Sequence, residues 1–171
     1  MNTPTHVISG IWLAQFLSNH VPASFPIRKL LLAVTCLVAG AFLHLVLDVM
    51  PHYNWIVYLH GYENLPHHWL FCEAIVALIV FIPAIYFTRR IWPIALIGAF
   101  GALYPDIEKV ASCDFNMPER FVIFRHHSLH LSSNDYGIRH DALITGELAL
   151  IGIFFFAAWR ASANARVAPV S

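Results

Sequence analysis

The sequence predicts an all-α membrane protein: a polytopic transmembrane helical bundle of four or five spans with a histidine-rich non-cytoplasmic face. Three observations lead there. Of 171 residues, 58% are hydrophobic and only 12% charged, half the roughly 25% charge of an ordinary soluble domain, so a soluble fold would lack side chains to cover its surface. The apolar residues are gathered in blocks too long for core strands, with no strand-period alternation. Ten basic side chains balance ten acidic ones, while histidines number eleven. Zero net charge and no basic run exclude the electrostatic footprint of a nucleic-acid binder.

The elements follow in order. Three apolar blocks, Leu30 to Met50, Trp69 to Phe87 and Ala142 to Trp159, are long enough to cross a hydrocarbon layer of roughly 30 Å at about 1.5 Å per residue. Val7 to Leu17 and Ile91 to Tyr104 are shorter, and span only with their flanks, as tilted or protein-buried helices. The opening MNTPTH lacks the basic stretch of a cleavable signal peptide, so the first helix is expected to be retained. Pro83 and Pro93 fall in or near apolar helices, which membrane helices tolerate when neighbours satisfy the freed carbonyls, whereas Pro105 reads as the exit from the fourth helix. Residues 1–159 thus form a single integral-membrane domain with an outer loop at 105–141, and 160–171 a polar, disordered tail. Cys36, Cys72 and Cys113 have no metal-motif spacing and support neither a disulfide framework nor a zinc knuckle.

Orientation follows if all five blocks cross. Arg28 and Lys29, Arg89 and Arg90, and Arg160 and Arg166 then share one side without an acidic companion, which the positive-inside rule makes cytoplasmic. The opposite side receives nearly every histidine, His20 being the exception. Such one-sidedness suggests a site.

Its chemistry is read from three segments. His44 and Asp48 are four apart near the end of the second span, so they share a helical face and can point at one ion; an ionisable pair at that depth is normally partnered or functional. His52 sits at the mouth, just past Pro51. The fourth block ends in GALYPDIEK, where Asp106 and Glu108 supply carboxylates that offset a divalent cation's charge. Next comes FRHHSLHLSS: if Phe124 to Ser132 is helical, His126 and His130 share a face at ligand spacing, while His127 faces elsewhere or a second ion. Arg125 beside them has the planar fork that holds a phosphate-like anion. His6 opens the first helix, Glu73 follows the start of the third, and Glu147 lies near the start of the last. Tyr53, Trp55, Tyr58, Tyr62 and Trp69 read as an interfacial aromatic belt.

Thr5-His6 opening an apolar helix, HLVLD, GALYPDIEK and HHSLH together resemble the predicted membrane-bound metal-dependent hydrolases, also described as LexA-binding inner-membrane-associated hydrolases. The resemblance covers most of the chain from Thr5 to His130. It implies metal ligation by His6, His44, Asp48, Asp106 and His130, with His126 or His127 in one further histidine position, and placement in a bacterial inner membrane. The chain differs from the family pattern where Pro105-Asp106-Ile107-Glu108-Lys109 stands for Pro-Asp-x-Asp-His, and where His44 and Asp48 precede the other motifs.

The expected function is hydrolysis of a phosphoester or other lipid-proximal ester by metal-activated water. Asp48 or Glu108 would be the general base and Arg125 the anion clamp. The candidate ligands are His6, His44, Asp48, His52, Asp106, His126, His127 and His130. Zinc is the leading cofactor; two ions are easier to accommodate than one, and manganese or iron suits the same donors. The partners are the lipid bilayer and a lipid or phosphoester substrate, with no nucleic acid. The rival is a non-catalytic accessory subunit of a larger membrane complex, its histidines packing, binding structural metal, or meeting a pigment or haem. Haem needs axial ligands facing one another, and only His44 lies well inside a span.

Overall fold

The computed structural model describes residues 3–22, 27–49, 68–114, 118, 123–124 and 140–167, and every regular element among them is helical. Five α-helices coincide with the five apolar blocks: α1 Thr3–His20, α2 Arg28–Val49, α3 His68–Phe87, α4 Trp92–Asp114 and α5 His140–Val167. A short 3₁₀ turn, Arg89–Ile91, joins α3 to α4.

The order of burial is inverted relative to a water-soluble bundle. Buried apolar positions are dominated by small side chains, among them Ala14, Ala41, Ala84, Ala95, Ala99 and Ala102, and they share the interior with Thr5, His6, Gln15, His44, Asp48, Glu108 and Glu147. The large apolar side chains point outward. On α2, Leu30, Val34, Val38, Phe42 and Val46 are all exposed at four-residue spacing, one continuous stripe; Leu78, Ile82 and Tyr86 repeat the pattern on α3. A surface of this kind suits hydrocarbon, where no hydrophobic force sorts large apolar groups inward and close contact between small residues holds the helices together.

Two described helices are long and apolar enough to cross a membrane, Arg28–Asp48 and Thr145–Ala163. Ala77–Phe87 and Arg89–Glu108, bent by 87° at their junction, make a third when taken together. The shorter first block is not a span by these measures. Instead α1 is the hub: it packs against all four other helices, and Pro4 through Ile11 are buried without interruption. A helix buried all round needs neither an apolar stripe nor full span length.

Glycine sets the closeness of the central crossing. A Cβ on Gly10 of α1 would collide with the Gly98 carbonyl of α4, and one on Gly101 would lie 2.6 Å from the Leu37 carbonyl oxygen of α2. Only backbone fits between these helices. His6 lies one turn from Gly10, His44 one turn from Gly40, and Ala102 one turn from Gly98, so the contact that joins three helices also brings their polar residues to one end.

Three expectations need correction. Pro105 does not end its helix: α4 continues to Asp114 with Pro105 inside it. The missing N–H costs one backbone bond, which a packed membrane helix absorbs. The helix therefore runs about two and a half turns past the proline. The tail is also partly ordered, because α5 runs to Val167; RASANARV lacks an apolar stripe but contains three alanines, and alanine has the strongest intrinsic helix preference. Finally, Phe124 lies outside any helix, so a helix cannot begin there; the remainder of the expected Phe124 to Ser132 helix lies outside the described residues.

Candidate metal centre

Three helices contribute to one buried polar cluster. His6 comes from the first turns of α1, His44 and Asp48 from the last turns of α2, and Asp106 from α4 just past Pro105. Both histidines are fully buried, Asp48 is buried, and the Asp106 side chain is 32% exposed, giving the cluster one open edge. The two imidazoles stack, with ring centroids 3.8 Å apart and planes 22° from parallel.

Asp48 reaches both rings. Its Oδ1 lies 3.2 Å from His6 Nε2, and its Oδ2 lies 3.1 Å from His44 Nε2. Asp106 Oδ1 approaches the same His44 nitrogen at 3.8 Å. On its far side, His44 Nδ1 is 2.6 Å from the Ala102 carbonyl oxygen. A carbonyl only accepts, so Nδ1 is the protonated donor. In a neutral ring, Nε2 is then a lone pair turned toward two carboxylates. That arrangement is repulsive unless a positive charge stands between them, either a second proton on the ring or a metal ion.

The donor set fits an ion. Ligand atoms of His6, His44 and Asp106 all lie within 4.8 Å of one another, a grouping that could hold a metal. Donors about 2.1 Å from a tetrahedral ion are separated by roughly 3.4 Å; within this group His44 Nε2 and Asp106 Oδ1 are 3.8 Å apart. Moreover, among the described residues neither His6 nitrogen has an aligned hydrogen-bond partner, although both are buried. Such a group usually has an unseen water or ion to explain it. The hydrogen bond from His44 to a backbone carbonyl is the arrangement that fixes a metal-binding imidazole by its remote nitrogen.

Glu108 is placed differently. It is buried, and its Oε1 accepts the Phe124 N–H at 2.8 Å, while its Oε2 has no hydrogen-bond partner among the described residues. It does not belong to the His6, His44 and Asp106 group; its bond secures the chain just before the histidine-rich segment. His52, Arg125, His126, His127 and His130 lie outside the described residues.

Two contacts were not read from the sequence. The Ala102 carbonyl leaves no trace in residue identity. Thr5 donates a hydrogen bond at 3.2 Å to Glu147 of α5, both residues buried, next to His6 in the chain; a buried threonine and a buried acid on separate helices carry no local spacing signal. Comparison with protein families, with curated proteins and with solved structures returns no match to this chain.

Proposed function

We propose that the chain is an integral-membrane, metal-dependent hydrolase acting on a phosphoester or lipid-proximal ester, with four or five helical passages and its metal site on the non-cytoplasmic side of a bacterial inner membrane. The observation that carries the reading is the convergence of His6, His44 and Asp106 within ligand distance around buried Asp48. The motif resemblance points the same way. His6, His44 and Asp106 hold the ion, with zinc the best match to two imidazoles and a carboxylate. When bound, it supplies Lewis acidity and lowers the pKa of water toward neutrality.

The chain's own groups do the rest. Ala102 fixes the rotation of His44. Asp48, close to both rings, is the better placed base, since Glu108 is engaged by Phe124. Asp106, the least buried of the cluster, faces the open edge through which a substrate would enter. Arg125, beside the Phe124 that Glu108 secures, is the proposed anion clamp, and His52, His126, His127 and His130 are candidate ligands for a second ion.

The full burial of both rings favours a second reading, in which the metal is structural and the chain is an accessory subunit. One experiment separates them. Detergent-purified protein is subjected to elemental analysis and assayed against lipid phosphodiesters, alongside Asp106→Asn. The catalytic reading expects bound transition metal and turnover that falls at least about 100-fold in the variant with helical content retained. Normal turnover in Asp106→Asn would remove the catalytic assignment, and metal-free, fully stable protein would remove the site.

A further inference from the structure

Ala102 and Asp106 stand one turn apart in α4, with Pro105 between them inside the helix. Both act on the same imidazole. The Ala102 carbonyl oxygen lies 2.6 Å from His44 Nδ1, and Asp106 Oδ1 lies 3.8 Å from His44 Nε2. A single turn of α4 therefore addresses both nitrogens of a histidine that belongs to α2. Asp106 does so with its side chain. Ala102 does so with a backbone group that, in an uninterrupted helix, is committed to the helix's own ladder.

Nothing in Ala102 itself marks it for this contact; the mark is the proline three residues on. A helical carbonyl accepts the N–H four residues later, so the Gly101 and Ala102 carbonyls pair with positions 105 and 106. Pro105 has no N–H, and its ring presses on the Gly101 carbonyl, which opens the turn. The Ala102 carbonyl is the next in that turn, and its helical partner is the N–H just past the proline. Opening weakens that bond as well and tilts the carbonyl away from the helix axis. Carbonyls loosened by proline in membrane helices are satisfied by neighbours. Pro105, Ala102 and His44 are all fully buried, so the neighbour has to be a protein group. Close backbone contact supplies it. A Cβ on Gly40 would lie 2.9 Å from the Ala102 nitrogen, and one on Gly101 would lie 2.6 Å from the Leu37 carbonyl oxygen. The backbones of α2 and α4 thus meet at the turn the proline opens, and a side chain one turn past Gly40 reaches its carbonyl.

We propose that Pro105 is a positioning residue: by interrupting the α4 ladder it gives the Ala102 carbonyl to His44, and so turns Nε2 toward Asp106 and the metal group. The hydrogen-bond assignment stands by itself, whereas its consequence for metal rests on the metal-site reading above. Pro105→Ala and Pro105→Val both restore the N–H, and valine keeps about the volume of proline. They are compared with wild type and with Pro83→Ala, which removes the proline inside α3, as purified full-length protein in detergent. One readout is the His44 Nδ1 proton by NMR in chelator-treated protein, identified by its absence from His44→Phe; the other is zinc affinity by competition with a chromophoric chelator. Both Pro105 variants should melt no lower than wild type, since proline is the least favourable residue in a helix interior. They should nevertheless shift the Nδ1 proton upfield, speed its exchange with water and weaken zinc binding by roughly 10–100-fold, the usual effect of losing an outer hydrogen bond to a metal ligand. Pro83→Ala should change neither readout. An unmoved Nδ1 proton overturns the proposal, as does a change in Pro105→Ala that Pro105→Val does not share, which is a cavity effect. Equal weakening of zinc binding in Pro83→Ala, or weakening that only follows a lowered melting temperature, overturns it too. A shifted Nδ1 proton with no zinc bound by any of the proteins, wild type included, removes the metal reading and leaves the role of Pro105 standing.

Discussion

His6 and His44 stack ring upon ring, 3.8 Å between centroids, and each turns a nitrogen to a different oxygen of Asp48. Stacking alone would be served by any pair of aromatic rings, and a hydrogen-bonded pair by one histidine. Two imidazoles directed at one carboxylate, with Asp106 nearby, form a group that a second ring proton or a metal ion could complete.

His44→Phe tests this directly, because it keeps a ring on His6 while removing both nitrogens. The Ala102 carbonyl is left without its donor, a cost of about 1–3 kcal/mol for a buried group. The sharper readout is chelation: a strong chelator should lower the melting temperature of the wild-type protein and leave that of His44→Phe unchanged. Equal chelator sensitivity in the two proteins would place the metal elsewhere.

How much of this could be read from the sequence depends on the range of each interaction. His44 and Asp48 were legible because four-residue spacing puts both on one helical face, and all five helices were legible as apolar blocks, three of them long and two shorter. Asp106 was found for a sound reason and a wrong one: its carboxylate does face the cluster, but from within a helix rather than beyond its end. His6 became a ligand candidate by its place at the start of the first helix, a weak signal by itself, and by motif resemblance. The rest is long-range. Gly10 opposite Gly98, Thr5 opposite Glu147, and Gln15 opposite Ser162 each join residues far apart in the chain, and glycine or threonine has too many ordinary uses for such pairs to stand out. The shared side of Arg28, Arg89 and Arg90 was visible as a charge pattern, but not that they line one recess.

The glycine crossing should control the metal site from a distance. Gly98→Val forces side-chain atoms into the Gly10 backbone, with an overpacking cost of about 1–3 kcal/mol or more, or roughly 2–4 °C of melting temperature per kcal/mol. Because His6 and Ala102 each lie one turn away, metal content should fall as well. Gly152→Ala is the control: its added methyl meets nothing within 4 Å, and the helix gains about 1 kcal/mol of intrinsic preference. Metal loss in both variants, or in neither, would separate the crossing from the site.

Thr5→Val removes a buried hydroxyl that donates to Glu147. Loss of a bond to a charged acceptor costs about 1.5–3 kcal/mol, while Thr5→Ser should recover most of it. If α5 helps fix His6 through this bond, metal affinity measured by competition with a chromophoric chelator should weaken in Thr5→Val and recover in Thr5→Ser. Unchanged affinity with lowered stability would confine the pair to packing.

Topology decides whether the remaining histidines can join the cluster. α2 runs from Arg28 to His44 and Asp48, α3 ends at Phe87 near Arg28, and α4 runs from there to put Asp106 beside His44. Taken as one bent pair, α3 and α4 would be a broken span or a re-entrant loop; in the proposed reading of four or five passages, each of them crosses. Asn64, between α2 and α3, and Asp135, between α4 and α5, should therefore emerge on the same side, with Arg89 on the other. In a background with Cys36, Cys72 and Cys113 replaced by serine, Asn64→Cys and Asp135→Cys should react with a membrane-impermeant thiol reagent on intact cells, and Arg89→Cys only after permeabilisation. By the positive-inside rule, the side where Arg28, Arg89 and Arg90 gather is expected to be the cytoplasmic one. Labelling of all three on intact cells would reject the transmembrane orientation. Labelling of Asn64→Cys but not Asp135→Cys would put His52 and the His126 to His130 segment on opposite faces, leaving any ion to be held by His6, His44, Asp48 and Asp106 without them.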